Sequence, residues 1–139
     1  MGIDWENRTE TCDFWVGAFP SEQTFSEYVG EDDINYYKLM ETENAVPLSR
    51  FIHDQGLEWY DHDMVEIGYK EQASSIADLV KGYSYSDQYA EELTKRANEI
   101  GLTRANGFLF IRSGKILEPR TAKTAKFTFW YVGQIPYKI

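Results

Sequence analysis

Several features that would define a protein class are missing from this sequence. Its 139 residues include a single cysteine, Cys12, which excludes a disulfide bond within the chain. No run of about 18 apolar residues occurs, so no membrane-spanning helix is expected. The first residues lack a basic segment followed by an apolar core, so we expect no secretory signal. Together these absences favour a cytoplasmic protein.

Positive charge is also scarce. The chain has 14 Lys and Arg residues against 23 Asp and Glu residues, and its net charge is −9 at pH 7. Binding of nucleic acid through phosphate contacts needs clustered cations, so direct nucleic-acid binding is not expected. The deficit lies in residues 1–66, which hold 16 acidic and 3 basic side chains, whereas residues 67–139 hold 7 and 11. This acidic front half favours a basic partner.

The familiar catalytic motifs are absent as well. The sequence has no phosphate-cradling glycine loop, no nucleophile elbow and no CxxC pair. Cys12 lies in an apolar strand pattern, which is more typical of a small buried side chain than of a nucleophile. We therefore expect no catalytic residue, no bound metal and no cofactor.

One stretch, residues 51–66, still contains the side chains that a metal site uses. It holds two histidines and five carboxylates, and these side-chain types bind zinc, manganese or iron. On a regular strand, however, His62 faces away from Asp61 and Asp63. The two aspartates share a face, so acid–base catalysis by this pair is geometrically allowed. A small metal-dependent hydrolase using the His53 and His62 region is therefore the alternative function.

Hydrophobic periodicity predicts an α+β fold. The expected strands cover residues 11–17, 58–70, 105–112 and 126–134. The expected helices cover 21–29, 47–55 and 74–81, and a fourth, capped by Ser84, runs to residue 100. Gly56 and Gly101, each followed by a leucine, are expected to end the second and fourth helices in a left-handed conformation. We expect a single domain over 1–139, loose at 1–10, with about four mainly antiparallel strands and helices packed mostly on one face. The last strand is expected to form a hairpin with residues 108–111, because a polar, turn-bearing segment joins the two apolar runs.

Aromatic and acidic side chains occur together in two segments, an irregular acidic stretch at 31–46 and the start of the second strand. Aromatic residues supply the contact area of binding hot spots, and carboxylates steer a basic partner. The candidate partner-binding residues are Glu31, Asp32, Asp33, Tyr36, Tyr37, Glu41, Glu43, Trp59, Tyr60, Asp61 and Asp63. A basic group near the last turn could mimic a nucleic-acid surface, although the net charge favours a solvated loop. Its members are Lys115, Arg120, Lys123 and Lys126.

Short aromatic and acidic motifs follow one another along residues 14–112. They read FWVGAF at 14–19, FSEYV at 25–29, SRFIHDQGL at 49–57, WYDHDMVE at 59–66 and GYSYS at 82–86, with Asn106 in the next strand. In this order they resemble the Immunity protein 22 family of bacterial polymorphic-toxin systems. The family's typical chain ends in a strand soon after the Asn-bearing one, whereas here a long basic connection, 113–125, precedes the last strand.

The resemblance implies a protein without enzymatic activity that binds and blocks a cognate secreted toxin inside the producing cell or its siblings. It does not specify the toxin's activity or the oligomeric state. The acidic front half of the chain makes a basic toxin domain, such as a nuclease, the expected partner.

Overall fold

The computed structural model describes residues 9–30, 49–57 and 65–138. They form a five-stranded antiparallel sheet in the order β2-β3-β1-β5-β4, together with four helices. The strands are β1 (Thr9–Gly17), β2 (Val65–Ser75), β3 (Arg104–Arg112), β4 (Ala122–Lys123) and β5 (Thr128–Lys138). The helices are α1 (Glu22–Val29), α2 (Arg50–Asp54), α3 (Ile76–Val80) and α4 (Ser86–Glu99). The predicted α+β class is thus confirmed, with five strands instead of about four.

The four helices of the described segments cover both faces of the sheet, two on each, which differs from the expectation that helices pack mostly on one face. Phe14 of β1 and Phe108 of β3 belong to a core with α3 and α4. Trp15 and Leu109, their neighbours along the same strands, belong to a second core with α1 and α2. Because successive strand residues point to opposite faces, an uninterrupted apolar strand must be covered on both sides.

The expected hairpin between the last strand and residues 108–111 is wrong. β1 lies between β3 and β5 and pairs with both. Every residue of β1 from Cys12 to Gly17 is buried, so this strand occupies the sheet centre, where both of its edges are hydrogen-bonded. The hairpin partner of β5 is the short strand β4, which the long connection supplies.

A bulge in β5 changes the face to which its side chains point. Phe14 pairs with Gly133, whereas the next residue, Trp15, pairs with Tyr131, so β5 contains one extra residue. Gly133 has φ +110°, a backbone conformation that glycine adopts readily. Before the bulge Phe129 faces α1 and α2; after it, Ile135 and Tyr137 face α3 and α4.

Helix ends follow the sequence signals in part. Gly56 ends α2 with φ +83°, and the next residue, Leu57, donates its N–H to the Ile52 carbonyl at 2.9 Å, as predicted for a glycine stop. The predicted Ser84 cap of α4 is wrong, because Tyr85 precedes the helix in a left-handed conformation with φ 63° and no side chain caps it. In the described part of the chain, no helix combines the length and apolar character needed to cross a membrane.

Candidate functional site

The partner-binding residues proposed from the sequence all fall in segments 31–48 and 58–64. Both segments lie outside the described residues. This applies to Glu31, Asp32, Asp33, Tyr36, Tyr37, Glu41, Glu43, Trp59, Tyr60, Asp61 and Asp63. Their role in binding a partner therefore stays a prediction.

The two histidines of the alternative metal site are placed differently. His62 lies outside the described residues, whereas His53 is exposed on α2 with its Nδ1 atom 3.6 Å from Asp54 Oδ1. Asp54 in turn accepts a hydrogen bond from the Tyr28 hydroxyl at 2.8 Å. Within 9–30, 49–57 and 65–138, no three His, Cys, Asp or Glu side chains converge as metal ligands would.

The basic group of the long connection is exposed but its backbone is tightly held. The Arg120 carbonyl accepts hydrogen bonds from Trp15 Nε1 at 2.9 Å and Gln55 Nε2 at 2.8 Å. The Arg120 N–H donates to Gln55 Oε1, also at 2.8 Å. Lys126 lines an open groove of about 360 Å³ beside Arg50 and Glu27, so charges of both signs meet there.

Two polar residues of the sequence motifs are buried and act within the scaffold. Gln55 is 2% exposed and anchors the long connection, as described above. Asn106 is 5% exposed; its Oδ1 accepts from the Phe19 N–H at 2.8 Å and its Nδ2 donates to the Phe19 carbonyl at 2.9 Å. The Gln55 amide thus holds the long connection to the end of α2, and the Asn106 amide holds the Phe19 loop to β3. Both positions need a side chain that donates and accepts a hydrogen bond.

A pocket of about 270 Å³ lies on the α3/α4 face, where β2, β3, β1 and β5 meet at one end of the sheet. We call it the sheet-end pocket. Its lining residues are Glu10, Cys12, Val65, Glu66, Phe110, Arg112 and Tyr137. Strand alternation places Glu10 and Cys12 on one face, and the β5 bulge turns Tyr137 to that same face.

Most polar groups of the sheet-end pocket contact one another. Glu10 forms an ion pair with Arg112 across β1 and β3. The Tyr137 hydroxyl lies 3.5 Å from Glu10 Oε2 and 3.5 Å from Cys12 Sγ. Burial raises the pKa of both the Cys12 thiol and the Tyr137 hydroxyl, so neither group is activated as a nucleophile.

Glu66 is the exception in this pocket. Its side chain is half-buried, and burial raises its carboxyl pKa, opposed only by a hydrogen bond from the Ser84 backbone. No Lys or Arg of the described segments forms an ion pair with it. The nearby Tyr89 hydroxyl is buried and lacks a hydrogen-bond partner among the described residues, and the Glu66 charge raises its pKa further. Among the described residues, Glu66 thus adds a negative charge that no cation pairs at this end of the sheet.

The turn between α3 and α4 forms a wall beside this charge. Tyr83 packs edge-on against Phe108 at 4.7 Å between ring centroids. The Tyr85 ring stacks on that of Tyr137 at 5.0 Å between centroids with an interplanar angle of 23°, and Tyr85 as a residue is 41% exposed. The left-handed backbone of Tyr85 turns the chain sharply just before α4. Glu66 therefore contacts the 82–86 motif through the Ser84 backbone, beside the stacked rings of Tyr85 and Tyr137.

Sequence reasoning missed Glu10, Arg112 and Tyr137 as members of one site. A signal for the first two existed, because each is a charged residue near the end of a strand that contains an apolar run. No such signal marked Tyr137, whose facing depends on the bulge at Gly133.

Comparisons with known proteins give one match. No curated protein and no solved structure matches the chain significantly. The family model described as Immunity protein 22 matches residues 12–138, which includes all the helices and nearly all the strand residues above. The chain therefore belongs to the Immunity protein 22 family.

Proposed function

We propose that this protein neutralises a cognate bacterial toxin by binding it in the cytoplasm, without catalysing a reaction. The observation that carries the proposal is the family match over residues 12–138. An immunity function supports a toxin as partner, and direct protein–protein contact is the simplest way for a chain of this size to block one.

The proposal includes that the surface of the toxin contacted by this protein is basic. A net charge of −9, concentrated in residues 1–66, accelerates encounter with a cationic partner and disfavours acidic ones. The contact surface draws on the acidic and aromatic residues of 31–43 and 59–63. Aromatic side chains there would lower the dissociation rate, since most affinity differences between related complexes lie in that rate.

The first experiment searches the genes beside this one for a secreted protein with a C-terminal toxin domain, and pairs that neighbouring toxin domain with this protein. Cells that express the toxin domain alone should stop growing, and co-expression of this protein should restore growth. Isothermal titration calorimetry of the two purified proteins should show a stable complex. A polymorphic-toxin domain of another family serves as the specificity control and should not bind. Growth arrest that persists despite co-expression, with no heat of binding, would reject the function.

A second experiment tests the acidic surface. The double variant Asp61→Lys/Asp63→Lys should weaken binding by about tenfold or more and reduce its salt dependence, because two steering carboxylates are reversed. The matched control is Glu91→Lys/Glu99→Lys, which reverses two exposed carboxylates of α4 and changes the net charge equally. Equal losses in the two double variants would show that net charge alone matters and would reject this patch.

A further inference from the structure

We propose that the sheet-end pocket receives one Lys or Arg side chain of the toxin, with Glu66 as its pairing carboxylate. This inference rests on the proposed function and names the contact by which the partner is recognised. It uses a region that the acidic and aromatic residues of the sequence prediction do not include.

The size of the pocket suits a side chain. Its volume of about 270 Å³ falls just below the roughly 300–1,000 Å³ typical of small-molecule sites. Phe110, which belongs to the α3/α4 core, supplies an apolar wall against which the methylene stem of a Lys or Arg side chain can pack. The charged end can then pair with the Glu66 carboxylate that lines the same pocket.

The charges select a cation over an anion. Among the described residues, three charged side chains line the pocket, and the ion pair of Glu10 with Arg112 leaves the Glu66 carboxylate as their excess charge. The negative charge of Glu66 would repel an incoming anion, whereas it would attract a cation, which neutralises it. The half-exposed Tyr85 and its stacking partner Tyr137 add aromatic rings at this end of the sheet, which also attract cations.

Folding has already removed part of the water from Glu66. A half-buried carboxylate without a cation lies in an environment that disfavours its charge, as the raised pKa of Glu66 reflects. The remaining desolvation on complex formation is therefore smaller than for a fully hydrated surface carboxylate. The Ser84 backbone hydrogen bond holds the group in place before the partner arrives, so less side-chain entropy is lost on binding.

The test compares Glu66→Gln with Glu71→Gln. Both residues lie on β2, and Glu71 is exposed outside the pocket. We expect Glu66→Gln to weaken binding of the neighbouring toxin domain by about tenfold or more and Glu71→Gln by less than about twofold. Glu66→Gln should also melt at or above the wild-type temperature, because glutamine carries no charge to desolvate, so unfolding cannot explain a loss of affinity.

A double-mutant cycle identifies the partner cation. Each exposed Lys and Arg of the toxin domain is changed to Met and titrated against wild type and Glu66→Gln. One toxin position should lose its effect when Glu66 is absent, which is the signature of direct contact. Suppose that wild type binds but Glu66→Gln binds as well as Glu71→Gln, or that the effect of every toxin substitution simply adds to that of Glu66→Gln. The pocket is then not the recognition site, although the immunity function stands. If wild type does not bind at all, both proposals fail.

Discussion

Replacing Asn106 by alanine is expected to destabilise the whole fold through one loop. Asn106 lies near the start of β3, and its amide makes reciprocal hydrogen bonds with the backbone of Phe19 at 2.8 and 2.9 Å. The Phe19 ring in turn packs against Phe25, Phe127 and Phe129 at centroid distances of 4.9, 4.5 and 5.3 Å. The amide thus fixes the position from which an aromatic cluster is built.

The magnitude follows from what is lost. Each of the two hydrogen bonds contributes on the order of 1 kcal/mol net, and a buried N–H or C=O left without a partner costs more. Asn106→Ala should therefore lower the free energy of unfolding by about 2–4 kcal/mol. For a domain of this size that corresponds to a melting-temperature drop of about 6–20 °C. Asn106→Asp should be at least as harmful at neutral pH, because a carboxylate oxygen would then face the Phe19 carbonyl.

Urea unfolding followed by circular dichroism measures this loss, and a constant m-value shows that the midpoint shift reports stability. Asn98→Ala is the matched control, since Asn98 is an exposed residue of α4, and its change should stay within about 0.5 kcal/mol. An Asn106→Ala variant as stable as this control would refute the role of the amide in holding Phe19.

Two further changes probe the core and the buried charge. A Cβ atom at Gly107 would lie 2.8 Å from the Phe25 ring and 3.0 Å from the Phe19 ring, so Gly107→Ala should cost about 1–3 kcal/mol in urea unfolding; an unchanged midpoint would show that the rings yield freely. Burial raises the pKa of Asp13 in the folded protein, opposed by hydrogen bonds from Tyr131 and Gln134. The folded state therefore binds the Asp13 proton more tightly than the unfolded state does. The stability that this proton contributes is complete below pH 3.8, the ordinary pKa, and is lost as the pH rises through the raised pKa of the folded state. Asp13→Asn should accordingly gain stability relative to wild type as pH rises, and a difference that stays constant across pH would contradict this reasoning.

Much of the secondary structure was predictable because local patterns dominate there. The alternation of Cys12, Phe14 and Val16 predicted a strand whose neighbouring residues face opposite ways, and the two cores confirm this. The glycine stops at Gly56 and Gly101 depend only on the left-handed conformation that ends a helix, and both have positive φ. Strand order was not predictable in this way, because pairing joins segments that no local pattern relates.

For the candidate site, too, the sequence indicated single pieces and did not indicate how they come together. Glu66 and the 82–86 motif were visible in the sequence as acidic and aromatic pieces, but nothing local placed them together. The predicted cap at Ser84 was wrong because a left-handed Tyr85 precedes the helix instead, and its ring stacks on Tyr137. Tertiary packing thus overrode a local capping preference at the position that borders the pocket.

By itself the sequence determined the α+β class, the acidic front half and the motifs of the Immunity protein 22 family, since composition and short periodic patterns are properties of neighbouring residues. Only the tertiary structure decided that β1 separates β3 from β5 and that both sheet faces carry helices. It also assembled the sheet-end pocket, in which Cys12 and Tyr137 meet although 125 positions separate them. The physical reason is the bulge at Gly133: one extra residue reverses the facing of the rest of β5, and this reversal depends on pairing with β1 and not on any period of the sequence.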